Sequence, residues 1–268
     1  MATGEFLTVS SADGTKIGFE RRGAGPALVA VHGATADRHR WEPVADALAE
    51  HYTLHLVDRR GRGLSGDSDG EYAIAREAED VAAVVASIGG PVLLLGHSYG
   101  ALSSLEAGLI CDDIAAMLLY EPPFATPGHL AVPPDALVRV QQLLDGGQRE
   151  AALEIFYREA VGVAQAGIEA MKAGSMWQRR IAIVHTLVRE GREVNAYTAD
   201  PDRLRQLKMP VRFLVGTTSP AALQASTAAA AAAVPGSELV ELVGQGHTAI
   251  DAVPGEFVAQ VLAFLKAT

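Results

Sequence analysis

Short apolar runs punctuate this chain, and most are separated by longer stretches whose apolar positions return every three or four residues. The short runs predict strands near 5–10, 16–21, 27–31, 53–57, 91–95, 115–120, 211–215 and 238–242. The helically spaced stretches predict helices over 37–49, 74–88, 99–109, 220–234 and 255–267. Ala12-Asp13-Gly14, between the first two strands, is a hairpin signal, so the sheet should open with an antiparallel pair. From there strand and helix alternate, which means an α/β fold: a mostly parallel eight-stranded sheet with right-handed crossovers and helices on both faces. Ligands in such sheets bind beyond the C-terminal ends of the strands.

One connection breaks the rhythm. Between Tyr120 and Val211 lie about ninety residues, more than a crossover needs and too many for a loop without structure of its own. Helical patterns over 134–145, 148–163, 166–190 and 201–207, with breaks at Gly146-Gly147 and Gly191, predict a helical cap inserted after strand six. The expected organisation is a core domain made of 1–121 and 209–268 with a cap at 122–208. Apolar residues of the insertion, among them Phe124, Leu137, Tyr157, Met171, Met176 and Trp177, can line a pocket or form the cap's own core. Phe124 and Trp177 are the ones expected to touch substrate.

Composition narrows the function classes. A chain of 268 residues, 49% of them hydrophobic, can bury one large core. Its formal charge of −10 opposes binding to nucleic acid or to an anionic membrane surface, so a small molecule is the expected partner. The N-terminus lacks a secretory signal pattern and no apolar span is long enough to cross a bilayer, which points to the cytoplasm; a monomer or homodimer is expected, with the sequence not choosing between them. The single cysteine, Cys111, excludes an internal disulfide and a cysteine-based metal site, and its sequence surroundings suit a structural thiol. No metal or cofactor is expected.

The chemistry concentrates at Gly96-His97-Ser98-Tyr99-Gly100. This pentapeptide follows the apolar run Val92-Leu93-Leu94-Leu95 and enters a helical stretch at once, the pattern of a nucleophile elbow that would expose Ser98 at a strained turn. A serine hydroxyl needs a base, and His247, in Gly246-His247-Thr248 directly after the last strand, comes to the same sheet edge. His97 would pack under the elbow instead. The oxyanion formed on attack needs backbone donors, expected from the N–H of Tyr99 and of Ala34 in His32-Gly33-Ala34-Thr35, with Gly33 letting the backbone approach substrate.

Together these segments, with Asp58-Arg59-Arg60-Gly61-Arg62-Gly63-Leu64-Ser65 and Trp41, resemble the α/β-hydrolase family over nearly the whole chain. The resemblance implies that the Asp58–Ser65 stretch is architectural, its arginines pairing acids such as Asp58. It also implies a triad acid after the seventh strand, where this chain reads Gly216-Thr217-Thr218-Ser219-Pro220 and has no carboxylate. In a minority of the family the acid follows strand six, as in zearalenone-type lactonases, and here Glu121 stands there. Asp251 is the alternative; Asp200 and Asp202 are less well placed. The implied activity is that of a metal-free serine hydrolase acting on an ester or lactone through an acyl-enzyme. A perhydrolase, a C–C bond hydrolase, an acyltransferase and a non-catalytic receptor of the same fold remain open.

Overall fold

A computed structural model describes residues 4–266. Eight strands, β1 (Glu5–Ser10), β2 (Lys16–Gly23), β3 (Ala27–Val31), β4 (Thr53–Val57), β5 (Val92–His97), β6 (Ile114–Tyr120), β7 (Val211–Gly216) and β8 (Glu238–Leu242), form one sheet in the order β1-β2-β4-β3-β5-β6-β7-β8. β2 runs antiparallel to β1 and to β4, and every other pairing is parallel. The order explains the residue patterns. Central β3 and β5 are covered on both faces and are apolar almost throughout, whereas edge strand β8 is mostly exposed.

Helices α1 (Glu42–Ala49), α2 (Ile74–Ile88) and α3 (Tyr99–Ala107) follow strands β3, β4 and β5. α4 (Pro134–Asp145), α5 (Arg149–Ile155), α6 (Gln165–Lys172), α7 (Trp177–Ile183), α8 (Leu187–Ala196) and α9 (Pro201–Leu204) lie between β6 and β7. α10 (Ala221–Ala233), α11 (Ala249–Ala252) and α12 (Pro254–Leu265) complete the chain. One face of the sheet packs on α2, α3 and α10 through residues such as Val84, Leu105 and Ala230. The other packs on α1 and α12 through Trp41, Leu48, Phe257 and Phe264. Among the described residues no helix is long and apolar enough to cross a membrane.

The insertion differs from its predicted helices in three places. The stretch 166–190 is not one helix but α6, α7, a short 3-10 turn and the start of α8, with a turn around Gly174. Gly191 does not end a helix. It lies inside α8, where a Cβ would meet the Leu137 side chain at 2.5 Å, so its bareness lets α4 and α8 close together. The predicted helix 148–163 loosens after Ile155 into a wider π turn, Phe156–Val161, closed by Gly162 at φ 79°. The inserted residues are divided between two cores. Phe124, Leu137, Val194 and Tyr197 join the cluster under the sheet, while Val140, Leu153, Ile168, Trp177 and Val188 form a separate one.

Candidate active site

Strand β5 delivers Ser98 to the C-terminal edge of the sheet, and α3 starts at the next residue. Ser98 is held at φ 56° and ψ −125°, a conformation that L side chains rarely adopt. Its N–H donates to Tyr120 O at 2.8 Å, fixing the turn against β6. The turn is possible because its glycines are bare: a Cβ on Gly96 would lie 2.6 Å from Ala101 Cα, and one on Gly100 would lie 2.2 Å from Val31 O. Among the described residues only three that are not glycine have positive φ, namely Thr35 at 52°, Ser98 at 56° and Glu121 at 51°. All three sit on neighbouring loops at this one edge, where strain of this kind marks sites whose surroundings force a conformation.

Glu121 follows the last residue of β6 and is fully buried. One carboxylate oxygen accepts the Gly216 N–H at 2.7 Å and the other meets His247 Nδ1 at 2.5 Å. The turn that lacks a carboxylate of its own thus supplies an amide to hold one from the neighbouring strand. With Nδ1 engaged, Nε2 of His247 is left as the available base, and a buried carboxylate at Nδ1 stabilises the imidazolium that appears on proton transfer. Asp251 stands elsewhere: it takes an ion pair from Arg40 Nη1 at 2.6 Å. Asp200 caps its own helix by accepting the Asp202 N–H.

Ser98 and His247 border one cavity of about 390 Å³, which also touches Ala34, Thr35 and Tyr99. Among the described residues no hydrogen bond joins Ser98 Oγ to His247, a contact that commonly tightens only when substrate excludes water. The N–H groups of Ala34 and Tyr99 likewise donate to no protein acceptor among the described residues, leaving both free for an anionic oxygen. Gly33 lies against Ser98 rather than on the cavity wall. A Cβ there would sit 2.7 Å from Ser98 Cβ and 3.2 Å from its Oγ, so the glycine keeps the space beside the hydroxyl open.

Two residues expected to touch substrate do not border the cavity. Phe124 is buried under the sheet against Tyr197, with ring centroids 5.4 Å apart. Trp177 is buried in the insertion's own core, stacked on Tyr157 at 6.2 Å, with its indole N–H donating to Glu150 at 2.7 Å. Leu137 and Met176 are also absent from the wall, whereas Phe156, Tyr157, Met171 and Leu187, apolar residues of the insertion likewise expected to line a pocket or form its core, do border it.

The Alpha/beta hydrolase family profile matches residues 28–261. This chain belongs to that family. A hydrolase from Sphaerobacter thermophilus DSM 20745 shares 37% identity and superposes with a TM-score of 0.81 over 94% of this chain and 99% of its own. The esterase RhEst1 from Rhodococcus sp. ECU1013 shares 26% identity at a TM-score of 0.79, over 97% and 98%. The pimeloyl-[acyl-carrier protein] methyl ester esterase of Xanthomonas oryzae pv. oryzae strain MAFF 311018 is 28% identical over 229 residues, 84% of this chain and 89% of that protein.

In this α/β hydrolase the Asp58–Ser65 loop is a frame of buried ion pairs. Arg59 pairs with Glu77 at 2.6 Å and Glu190 at 3.2 Å, Arg60 with Asp80 at 2.7 Å and Asp13 at 2.9 Å, and Arg62 with Glu190 and Thr186. Asp58 departs from the expected pairing within the loop: its carboxylate takes the Arg38 guanidinium at 2.7 Å and the N–H groups of Arg38 and Leu64 at 2.8 Å each. Glu190 belongs to α8, so the frame ties the insertion to the elbow region. Arg59 also lies over the ring of Tyr99, 4.1 Å from its centroid, and Tyr99 shares a hydrogen bond of 2.8 Å with Tyr72.

Sequence reasoning missed Tyr120 and His32 as positioning residues, while His97 was expected under the elbow. The Tyr120 hydroxyl donates to Gly246 O and accepts the Ala249 N–H, bracketing His247 from both sides. The His97 ring donates from Nε2 to His247 O at 3.1 Å, and its pKa is held well below the usual histidine value by burial and by the nearby His247. Buried His32 bonds Gly33 O through Nδ1 and receives the Arg59 N–H at Nε2. That pattern requires the neutral ring, and burial with Arg62 and Arg59 alongside pushes its pKa well down. A sheet-terminal tyrosine or a histidine before glycine carries no sequence mark of these contacts. Cys111 packs partly buried against the sheet cluster, and burial raises its thiol pKa.

Proposed function

We propose that this protein hydrolyses a carboxylic ester or lactone through an acyl-enzyme, with Ser98 as nucleophile, His247 as general base and acid, and Glu121 as the triad acid. The observation that carries this reading is the buried Glu121 carboxylate, 2.5 Å from His247 Nδ1, behind an elbow serine on the same cavity. Ser98 Oγ attacks the carbonyl carbon while its proton passes to His247 Nε2. The negative oxygen of the tetrahedral intermediate is received by the N–H groups of Ala34 and Tyr99. The C–O bond to the alcohol then breaks and His247 returns the proton to the leaving oxygen. Water, deprotonated by His247, attacks the acyl carbon and releases the acid and Ser98. A lactone follows the same path, its alcohol staying tethered to the acyl group.

The insertion acts in this reading as the cap over the cavity. Two of the relatives that span most of the chain are named as esterases, which favours an ester over the other chemistries this triad serves. No metal takes part, so activity is expected to survive exhaustive dialysis against EDTA. A fluorophosphonate should label wild-type protein on Ser98 and leave Ser98→Ala unlabelled, while p-nitrophenyl esters of rising chain length and a lactone panel rank the substrates. Labelling at another residue, or equal turnover by Ser98→Ala, would overturn the assignment.

A further inference from the structure

Four charged side chains border the cavity: Arg40, Arg180, Glu190 and Asp251. Three of them are neutralised within the protein. Glu190 is held by Arg59 at 3.2 Å and by Arg62, and Arg40 pairs with Asp251 at 2.6 Å. Arg180, on α7, is different. Among the described residues no carboxylate lies within ion-pair distance of it; its Nε, like Nε and Nη2 of Arg40, is buried without an acceptor, but Arg40 has Asp251 to balance its charge. Arg179, next to Arg180, shows the ordinary alternative, reaching Asp37 at 3.2 Å. A cation kept unpaired on a mostly apolar wall is a receptor for an anion.

The position of Arg180 selects the part of the substrate it serves. Its guanidinium carbon lies 5.7 Å from the centroid of the Tyr157 ring, and Tyr157 shares the cavity wall with Thr35. Thr35 adjoins Ala34, one of the two free backbone donors, so Arg180 is one aromatic ring away from the place where the carbonyl oxygen is received. The alcohol leaves on the side of His247, where the cation Arg40 is already paired with Asp251. We propose that Arg180 binds a carboxylate on the acyl portion of the substrate, and that the substrates are half-esters of short dicarboxylic acids. This inference deepens the esterase reading and rests on it for turnover, though not for binding.

Two measurements separate the claims. The first compares p-nitrophenyl hydrogen glutarate with neutral p-nitrophenyl valerate. Wild type should prefer the half-ester, and Arg180→Met should lower its kcat/KM at least about tenfold further than that of the valerate, mainly through KM, with Arg180→Lys recovering part of the loss. Equal losses on both esters, or a wild-type preference for the valerate, would overturn the proposal. The second titrates glutarate calorimetrically into Ser98→Ala protein, which needs no turnover. Heat of binding that disappears in Ser98→Ala/Arg180→Met and partly returns with Arg180→Lys supports the site, and no binding by the Ser98→Ala protein overturns it. Arg180-dependent binding of glutarate with no hydrolysis of either ester would leave the anion site standing and remove the esterase reading.

Discussion

The C-terminal edge of the sheet and the cap wall face each other across one cavity, yet they are built in opposite ways. At the edge, Thr35, Ser98 and Glu121 are held in strained backbone, and Glu121 and Tyr120 spend their polar atoms on His247 Nδ1 or on backbone. On the cap side the wall is mostly apolar, with Leu130, Val132, Phe156, Tyr157, Met171 and Leu187 among the residues that any apolar group can meet, and one arginine is left unpaired. Strain and short hydrogen bonds fix reacting atoms to a fraction of an ångström, which proton transfer needs. Apolar helices fix only shape, which selectivity needs. Under the proposed function the division of labour is chemistry on the sheet and choice of substrate on the cap.

That comparison can be broken by experiment, starting with the largest effect. Ser98→Ala should lower kcat by several powers of ten with the melting temperature held within a few degrees, because only a hydroxyl is lost. Residual activity above about a tenth of wild type would place the chemistry elsewhere. Next come the tie and the core of the cap. Glu190→Gln removes the acid between buried Arg59 and Arg62 and should cost about 3–5 kcal/mol in urea unfolding. Trp177→Ala should cost about 3–5 kcal/mol and depress turnover of all esters alike, because the residue supports the cap core and not the wall. A changed substrate profile at unchanged stability would return Trp177 to the pocket.

The smallest effect is a pH dependence. His32 and His97 have folded pKa values below their unfolded ones, so the unfolded chain binds more protons as pH falls. Their contribution to stability is therefore fully present above about pH 6.5 and is lost on acidification. The melting temperature should fall steadily from pH 7 towards 5, and His32→Asn should flatten part of that slope. A melting temperature that rises on acidification would contradict the neutral assignment of these rings.

The two regions were also unequally legible. Strand positions and the elbow could be read because each leaves a local mark: an apolar run of strand length, a glycine where a Cβ collides, a histidine in a glycine-rich turn after the last strand. Glu121 is reached by subtraction, from the empty turn after β7, and in the structure the Gly216 N–H of that turn donates to the Glu121 carboxylate. The cap resisted. Helical spacing says that Trp177 faces something apolar, and Phe124 is an apolar residue in the connection after β6, but neither pattern tells a cavity wall from a packed core. Gly191 reads as a breaker until Leu137 is seen packing into its vacancy. Arg180 and Tyr120 gave no signal at all, since their meaning depends on partners brought near by tertiary folding.

The central claim, that the sheet edge alone assembles the reactive triad, is tested most directly by the kcat of Glu121→Gln beside that of Asp251→Asn. Glutamine keeps the size of the side chain but can hold His247 in the wrong tautomer, and a fall of about three to four powers of ten is expected. Asp251→Asn, which loosens only the ion pair with Arg40, should fall by less than about tenfold, the scale of a surface pair. An active Glu121→Gln with an inactive Asp251→Asn would contradict the account and move the acid to the loop after the histidine.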